Sequence, residues 1–370
     1  MSRLYIGLMS GTSLDGVDAV LVDFDGAQTR VIGHSSTSMP TVLKAELLAL
    51  NSATDNELHR SALAANGLVR LYAAQVIELL AQCGVTADGV EAIGAHGQTV
   101  RHRPQEFDGI GYTVQLNNPS LLAELCGITV VADFRSRDVA AGGQGAPLVP
   151  PFHQAFFGKA DQTLAVLNIG GISNITVLDP ANPDLLGFDC GPGNALMDAW
   201  CLTHTGHDFD DAGRWAAQGS VHPGLLARLW DEPFFAKLPP KSTGRDLFNA
   251  SWLAAKLTNF DPLAAQDVQA TLTELTVLAC AHSLKDASPD CKTLVVCGGG
   301  ALNDYLMVRL QTALPQCHVV PSTRMGLPPL QVEATAFAWL ARQTIMGKTS
   351  SLKSVTGAQG ARILGAIYPA

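Results

Sequence analysis

Three features of the sequence predict a two-domain α/β fold. The chain has 370 residues, more than one core usually fills. Short apolar runs close on glycine turns and lead into helix-strand units. The same cycle then begins again near residue 163. Composition agrees: 47% hydrophobic and 15% charged residues describe a chain able to fill a large interior.

The elements follow in order. Leu4–Met9 reads as a buried strand, Ser10–Gly16 as a glycine-bearing turn, and Val17–Asp23 and Val31–Ser38 as the next two strands. Leu63, Leu68, Leu71, Val76, Leu79 and Leu80 recur at helical spacing, predicting a helix over 58–83 that stops at Gly84. Strands are expected at 90–95, 113–116 and 129–132, with a helix over 119–126. The glycine-rich stretch 140–147 reads as a crossover, which divides the chain into domains at 1–135 and 136–370, with the C-terminal segment a candidate to pack on the first. The second cycle has strands at 163–169, 175–178 and 186–188, a helix over 195–203, and a turn-rich stretch, 206–247, read as a substrate-side insertion. A long helix over 263–284, a strand at 293–297 and helices over 303–313 and 331–346 complete it. Two such halves are expected to place a ligand cleft beyond their strand ends.

The charge of −9 argues against nucleic acid or an anionic membrane as partner. The eight cysteines contain no C-x-x-C pair, so buried reduced thiols in a cytoplasmic protein are expected. The N-terminal apolar run is too short for a signal peptide and no unbroken apolar stretch reaches membrane length, which leaves the sequons at Asn174 and Asn249 idle. Gly347-Lys348-Thr349 imitates the end of a phosphate-binding loop, but Arg342 stands where the earlier glycine is required.

Three glycine loops carry the chemistry. The turn Gly11, Thr12, Ser13, Leu14, Asp15, Gly16, Val17 and Asp18, with Ser10 before it, offers amides and small hydroxyls to phosphate oxygens. Asp15 and Asp18 there are candidates to hold Mg²⁺, directly or through water. Alone, an ordinary Gly/Asp hairpin explains this turn slightly better. Asn168, Gly170 and Gly171 repeat the logic in the second half, and the pair reads as two clamps on one triphosphate. Gly298, Gly299 and Gly300 form a third loop, with room for a flat ring or ribose. Asp189 stands at a strand end before Gly191, Gly193 and Asn194, where a carboxylate can take a proton from a nucleophile or cap the turn. His96, Gln98 and Thr99 suit sugar hydroxyls; Asp133 and Arg135 suit hydroxyls and a carboxylate. Glu333 opens a helix, where a carboxylate often serves only the dipole.

MSGTSLDGVD, HGQTVRH, ADFRSRDVAAGGQGAPLVP, NIGGISN, GFDCGPGN and CGGGALN occur in the order found in the anhydro-N-acetylmuramic acid kinases, which the chain resembles from about residue 5 to 345. Cys190 departs from the family, which often has Thr there. The resemblance implies the two-domain actin-like ATPase (acetate and sugar kinase) fold with an interdomain cleft. It implies an enzyme using ATP and Mg²⁺ on 1,6-anhydro-N-acetylmuramic acid in peptidoglycan recycling, in the cytoplasm, as a homodimer. By the same resemblance Asp189 is the catalytic base, residues 11–18, Gly170 and Gly171 hold phosphates, and His96, Gln98, Thr99, Asp133, Arg135 and Glu333 contact the sugar. On the residues alone, a kinase for a free hydroxyl or a non-enzymatic actin-type ATP-binding protein stays open.

Overall fold

The computed structural model describes residues 4–11, 14–25, 29–182, 184–258 and 260–370. The first seven strands are β1 (Leu4–Met9), β2 (Gly16–Asp23), β3 (Arg30–Ser38), β4 (Val90–Ala95), β5 (Gln98–Pro104), β6 (Gly111–Leu116) and β7 (Val130–Ala132). The next five are β8 (Leu164–Ile169), β9 (Ile172–Leu178), β10 (Leu186–Pro192), β11 (Thr293–Cys297) and β12 (His318–Pro321); β13 (Ala366–Tyr368) ends the chain. Two compact units result: residues 1–156 with 330–370, and residues 157–329.

The first unit is built on a six-stranded sheet, ordered β13-β7-β4-β1-β2-β3. β1, β2 and β3 form an antiparallel meander, and β4 and β7 join β1 in parallel. The second unit repeats this plan with β10-β9-β8-β11-β12: a meander of β8, β9 and β10, then β11 and β12 parallel to β8. Two halves with one strand order are the duplicated α/β arrangement expected from the sequence.

β1 is apolar throughout because both its faces are covered. Ile6 and Leu8 pack with Leu68, Tyr72 and Val76 of the long helix Glu57–Cys83. Tyr5 and Met9 face Phe337 and Ala338 of the helix Val332–Ile345. Glycine sets how closely that second helix lies: a Cβ on Gly7 would sit 1.8 Å from the Ala334 carbonyl oxygen, and one on Gly94 2.1 Å from that of Phe337. Glu57–Cys83 is long and apolar enough to span a membrane, but its apolar stripe is core surface, buried under β2 and β3.

Three differences from the sequence reading have physical causes. The first unit runs past residue 135 to Phe156 and takes the chain back at Leu330. Asp138, fully buried, ties the glycine-rich stretch there: it accepts from the Gly145 amide at 2.8 Å, from Thr356 Oγ1 at 2.8 Å and from Ser351 Oγ. Residues 206–247 are no appended insertion. They include the helix Pro223–Trp230 and bury Leu225, Leu229, Phe234 and Phe235 in the second core. Residues 98–104 form β5, paired with β6 in a separate two-stranded sheet.

Candidate active site

In the second unit the glycine loops meet. The Gly193 and Asn194 amides donate to the carbonyls of Gly171 at 2.9 Å and Gly170 at 2.8 Å, and Asn194 Nδ2 donates to Ile169 O at 3.2 Å. Gly193 and Asn194, read as phosphate donors, therefore spend their amides inside the chain. The third loop stacks on the same turn. Gly298 has φ of +75°, its amide donates to Pro329 O, and its Cβ would lie 2.5 Å from Asn168 Oδ1. A Cβ on Gly300 would lie 2.4 Å from Ile169 Cγ2. These glycines exist for packing. Gly170 and Gly299 differ: their Cβ positions meet nothing closer than 3.7 Å and 3.3 Å. A side chain at Gly170 would make only ordinary contact, and one at Gly299 would press on the Asn194 amide group, which can shift.

Asp189 lies on β10 opposite Asn174 of β9 and is buried. The ladder slips between Asp189 and Gly191, so Cys190 is the extra residue of a bulge. Cys190 points into the core, where burial drives its thiol pKa far up, helped by the neighbouring Cys280 thiol. Asp189 is tied instead to a neighbouring loop. Its Oδ2 accepts from the Thr243 amide at 2.9 Å, and its own amide donates to Lys241 O at 3.1 Å. A strap over 241–243 thus holds both main chain and carboxylate. Lys241 Nζ lies 4.9 Å from the Phe234 ring centroid and 5.7 Å from that of Phe188, and half-burial lowers its pKa. Asn174 Oδ1, beside Asp189, is buried and unpartnered.

In the first unit the turn after β1 is more committed to folding than its composition implies. Thr12 and Ser13 lie outside the described residues. Ser10 Oγ bonds Tyr72 OH at 2.9 Å and donates to Gly97 O at 3.2 Å. The Leu14 amide donates to Gly11 O, and the Leu14 and Val17 side chains are core. Gly16 is required by β3, since a Cβ would meet Thr37 O at 2.2 Å. Asp18 Oδ1 bonds His34 Nε2 at 3.1 Å, whereas the Asp15 residue is exposed at the turn. Among the described residues no three His, Cys, Asp or Glu side chains gather as a metal cage. Mg²⁺ commonly takes one or two carboxylates plus phosphate oxygens, so Asp15 fits that role and Asp18 fits it less well.

Next to this turn sits a set of buried polar groups. His96 Nε2 accepts from Arg135 Nε at 3.1 Å and Nη2 at 2.9 Å. An arginine only donates, so His96 is neutral with its proton on Nδ1. Burial, then the Arg135 charge, lowers the His96 pKa well below its ordinary value. The Gly97 carbonyl opposes this slightly, yet Nδ1 makes no bond of hydrogen-bond geometry. Gln98 Nε2 donates to Gly11 O at 3.3 Å while its Oε1 is buried and unpartnered. Asn117 Nδ2 donates to Ala95 O at 3.2 Å, and its Oδ1 is likewise an orphan. Thr99 Oγ1 accepts from Gln115. Orphaned buried polar atoms are rare and costly, so three at the ends of β4, β5 and β6 point to a polar ligand.

Arg135 and Asp133 are not the pair their spacing implies. Arg135 turns its Nε–Nη2 edge to His96 and donates Nη1 to Gly145 O at 2.7 Å. The fork read as a carboxylate clamp is largely spent inside the chain. Asp133, at φ +58°, accepts from Ser136 Oγ at 2.5 Å and lines a surface cavity of about 710 Å³ with Arg137 and Arg362. Glu333 lies in the first turn of its helix.

The profile of the family described as anhydro-N-acetylmuramic acid kinase matches residues 3–370. The chain belongs to the anhydro-N-acetylmuramic acid kinase family. A relative of that name from Albidiferax ferrireducens is 64% identical, with all of both chains covered. One from Variovorax paradoxus is 63% identical, over 100% of this chain and 99% of the relative. One from Cupriavidus metallidurans is 55% identical, over 100% and 98%. Among solved structures, (R)-2-hydroxyglutaryl-CoA dehydratase component A from Acidaminococcus fermentans is 12% identical, covering 91% of this chain and 96% of its own, at TM-score 0.48. A ROK family glucokinase from Streptomyces griseus is 14% identical, covering 92% and 99%, at TM-score 0.43.

In this member of the anhydro-N-acetylmuramic acid kinase family, the two α/β units share one sheet order, as the repeated cycle in the sequence predicts. Sequence reasoning missed two parts of the site. The strap Lys241-Ser242-Thr243 looked like loop, although a compact Lys-Ser-Thr-Gly-Arg run after two prolines was a visible signal. Asn117 stands beside the Asn118 helix cap, and nothing local distinguishes it.

Proposed function

We propose that this chain uses ATP and Mg²⁺ to open 1,6-anhydro-N-acetylmuramic acid with water and phosphorylate it, giving N-acetylmuramic acid 6-phosphate during peptidoglycan recycling. The observation that carries the chemistry is the buried Asp189 carboxylate, fixed at Oδ2 by the Thr243 amide on a bulged strand. A base must be held in place and kept from bulk water to act on one bound water. Asp189 takes the proton as the water oxygen attacks the anomeric carbon C1. The C1–O6 bond breaks, its electron pair staying on O6. O6 then attacks the γ-phosphorus as the bond to the ADP oxygen breaks. Gly170 and Gly299 would admit the nucleotide beside their backbone. Asp15, exposed on the turn from Gly11, would hold Mg²⁺, which when bound would supply neutralisation of phosphate charge. His96 Nδ1–H, Gln98 Oε1 and Asn117 Oδ1 bind the sugar.

Residence in the cytoplasm is supported by eight free thiols. The homodimer rests on family resemblance, and light scattering after gel filtration tests it. The function is tested by assaying ADP release with the anhydro sugar, N-acetylmuramic acid and N-acetylglucosamine. Turnover is expected with the anhydro sugar alone. Equal rates on a free sugar would make this a simple hydroxyl kinase, and turnover indifferent to every sugar would remove the kinase reading.

A further inference from the structure

We propose that Asp138 is a positioning residue for the sugar, acting through Gly145 and Arg135 on the His96 imidazole. This rests on the reading of His96 as a sugar contact. Each link is short. Asp138 Oδ2 accepts from the Gly145 amide at 2.8 Å. The Gly145 carbonyl accepts from Arg135 Nη1 at 2.7 Å. Arg135 donates Nε and Nη2 to His96 Nε2. That last contact decides which imidazole nitrogen keeps its proton, and Nδ1–H is the donor left without a partner.

The arrangement does not come from the 135–145 segment alone. Asp138 Oδ1 accepts from Thr356 and Ser351, and the Gln144 amide donates to Thr356 O at 2.7 Å. Gly143 is packed so closely that a Cβ would meet Asp138 Oδ2 at 2.2 Å, and Gly145 has φ of +66°. Residues 351–356 therefore clamp the carboxylate that clamps Gly145. Without it, Arg135 loses the fixed carbonyl that aims its guanidinium, and His96 can take the other tautomer. Nδ1 would then be an acceptor, unable to donate to a sugar oxygen. A buried carboxylate held by donors on both oxygens carries its geometry to its partners. Asp138 touches neither sugar nor reacting atoms.

The test compares Asp138→Asn with the double variant Ser351→Ala, Thr356→Val, which keeps the carboxylate and removes two donors. His96→Gln serves as reference. In the full-length protein, Asp138→Asn is expected to raise KM for the anhydro sugar roughly tenfold, the loss of one oriented hydrogen bond. KM for ATP and kcat stay near wild type. The double variant moves the same constant in the same direction, which keeps the test decisive if Asp138→Asn fails to fold. Nitrogen-resolved NMR of histidine-labelled protein should show Nδ1 as the protonated nitrogen of His96 in the wild type and a mixture of tautomers in the variants. Equal weakening of ATP and sugar, or an unmoved His96 signal, overturns the proposal. If His96→Gln raises KM and the others do not, only the positioning role fails. If His96→Gln leaves KM unchanged, the sugar-contact reading fails and takes the proposal with it.

Discussion

Replacing Asp189 with Asn tests the base and separates it from the fold. The isosteric amide can keep its Oδ1 as acceptor for the Thr243 amide, 2.9 Å away in the native site. It loses the charge-assisted part of that bond, about 1 kcal/mol. It also escapes the cost of keeping a carboxylate charged when only 5% of the residue is exposed. The two changes oppose each other, so stability should stay within about 1 kcal/mol of wild type. Catalysis should not survive. A positioned general base contributes roughly 10²–10⁴-fold, which is about 3–5 kcal/mol of barrier. The assay measures ADP release with saturating anhydro sugar, alongside calorimetric ATP binding and thermal unfolding. The expected result is wild-type ATP affinity, a melting temperature moved by a few degrees at most, and kcat down by at least about a hundredfold. A folded Asp189→Asn enzyme with kcat within a few-fold of wild type would refute the assignment, because an amide cannot accept the proton.

Gly94→Ala should destabilise the first unit by about 1–3 kcal/mol, since the new methyl would meet Phe337 O at 2.1 Å; thermal unfolding checks this, and an unchanged midpoint would mean the helix is not held so closely. Gly193→Ala and Gly299→Ala should part company: the first meets Gly170 O at 2.3 Å and costs folding, while the second folds and weakens ATP roughly tenfold by calorimetry. His102, pushed down to about 4 by burial and then by the Arg135 charge, is neutral in the native state and takes up a proton more readily when unfolded. Its stability contribution is therefore intact above 6.5 and drains away as pH falls from 6.5 toward 4. Urea midpoints measured across that window should drop with acid, and less steeply in His102→Gln; identical slopes would contradict it.

Much of the fold was legible because its signals are local. Val90–Ala95, Pro119–Cys126 and Thr293–Cys297 fall where periodicity and bounding turns placed them. β5 was not legible: its small sheet leaves Arg101, His102 and Arg103 only half-buried, so it lacks the apolar run that marks a core strand. The glycines show both outcomes. Their clustering marked loops that meet in the second unit, but Gly193, Gly298 and Gly300 are closed in by the chain, whereas Gly170 has ordinary contact only and Gly299 abuts a side-chain amide. Identical residues in similar loops carry no local mark of what lies opposite them.

The same limit divides the site. That a carboxylate stands beside the glycines of this stretch was written in neighbouring residues, and so was the family that the motifs reveal, but the strand expected to end before Asp189 runs on through Pro192 and leaves Asp189 inside it. That Thr243, 54 positions away, holds the Asp189 carboxylate was not, nor that Asp138 is buried by hydroxyls 213 and 218 positions distant. Turn and strand propensities act over a few residues, so the order of residues by itself determined the elements and the chemistry they carry. Burial of a charge, the direction of a guanidinium and the tautomer of an imidazole depend on groups that only chain folding brings within 3 Å, and those the tertiary structure decided.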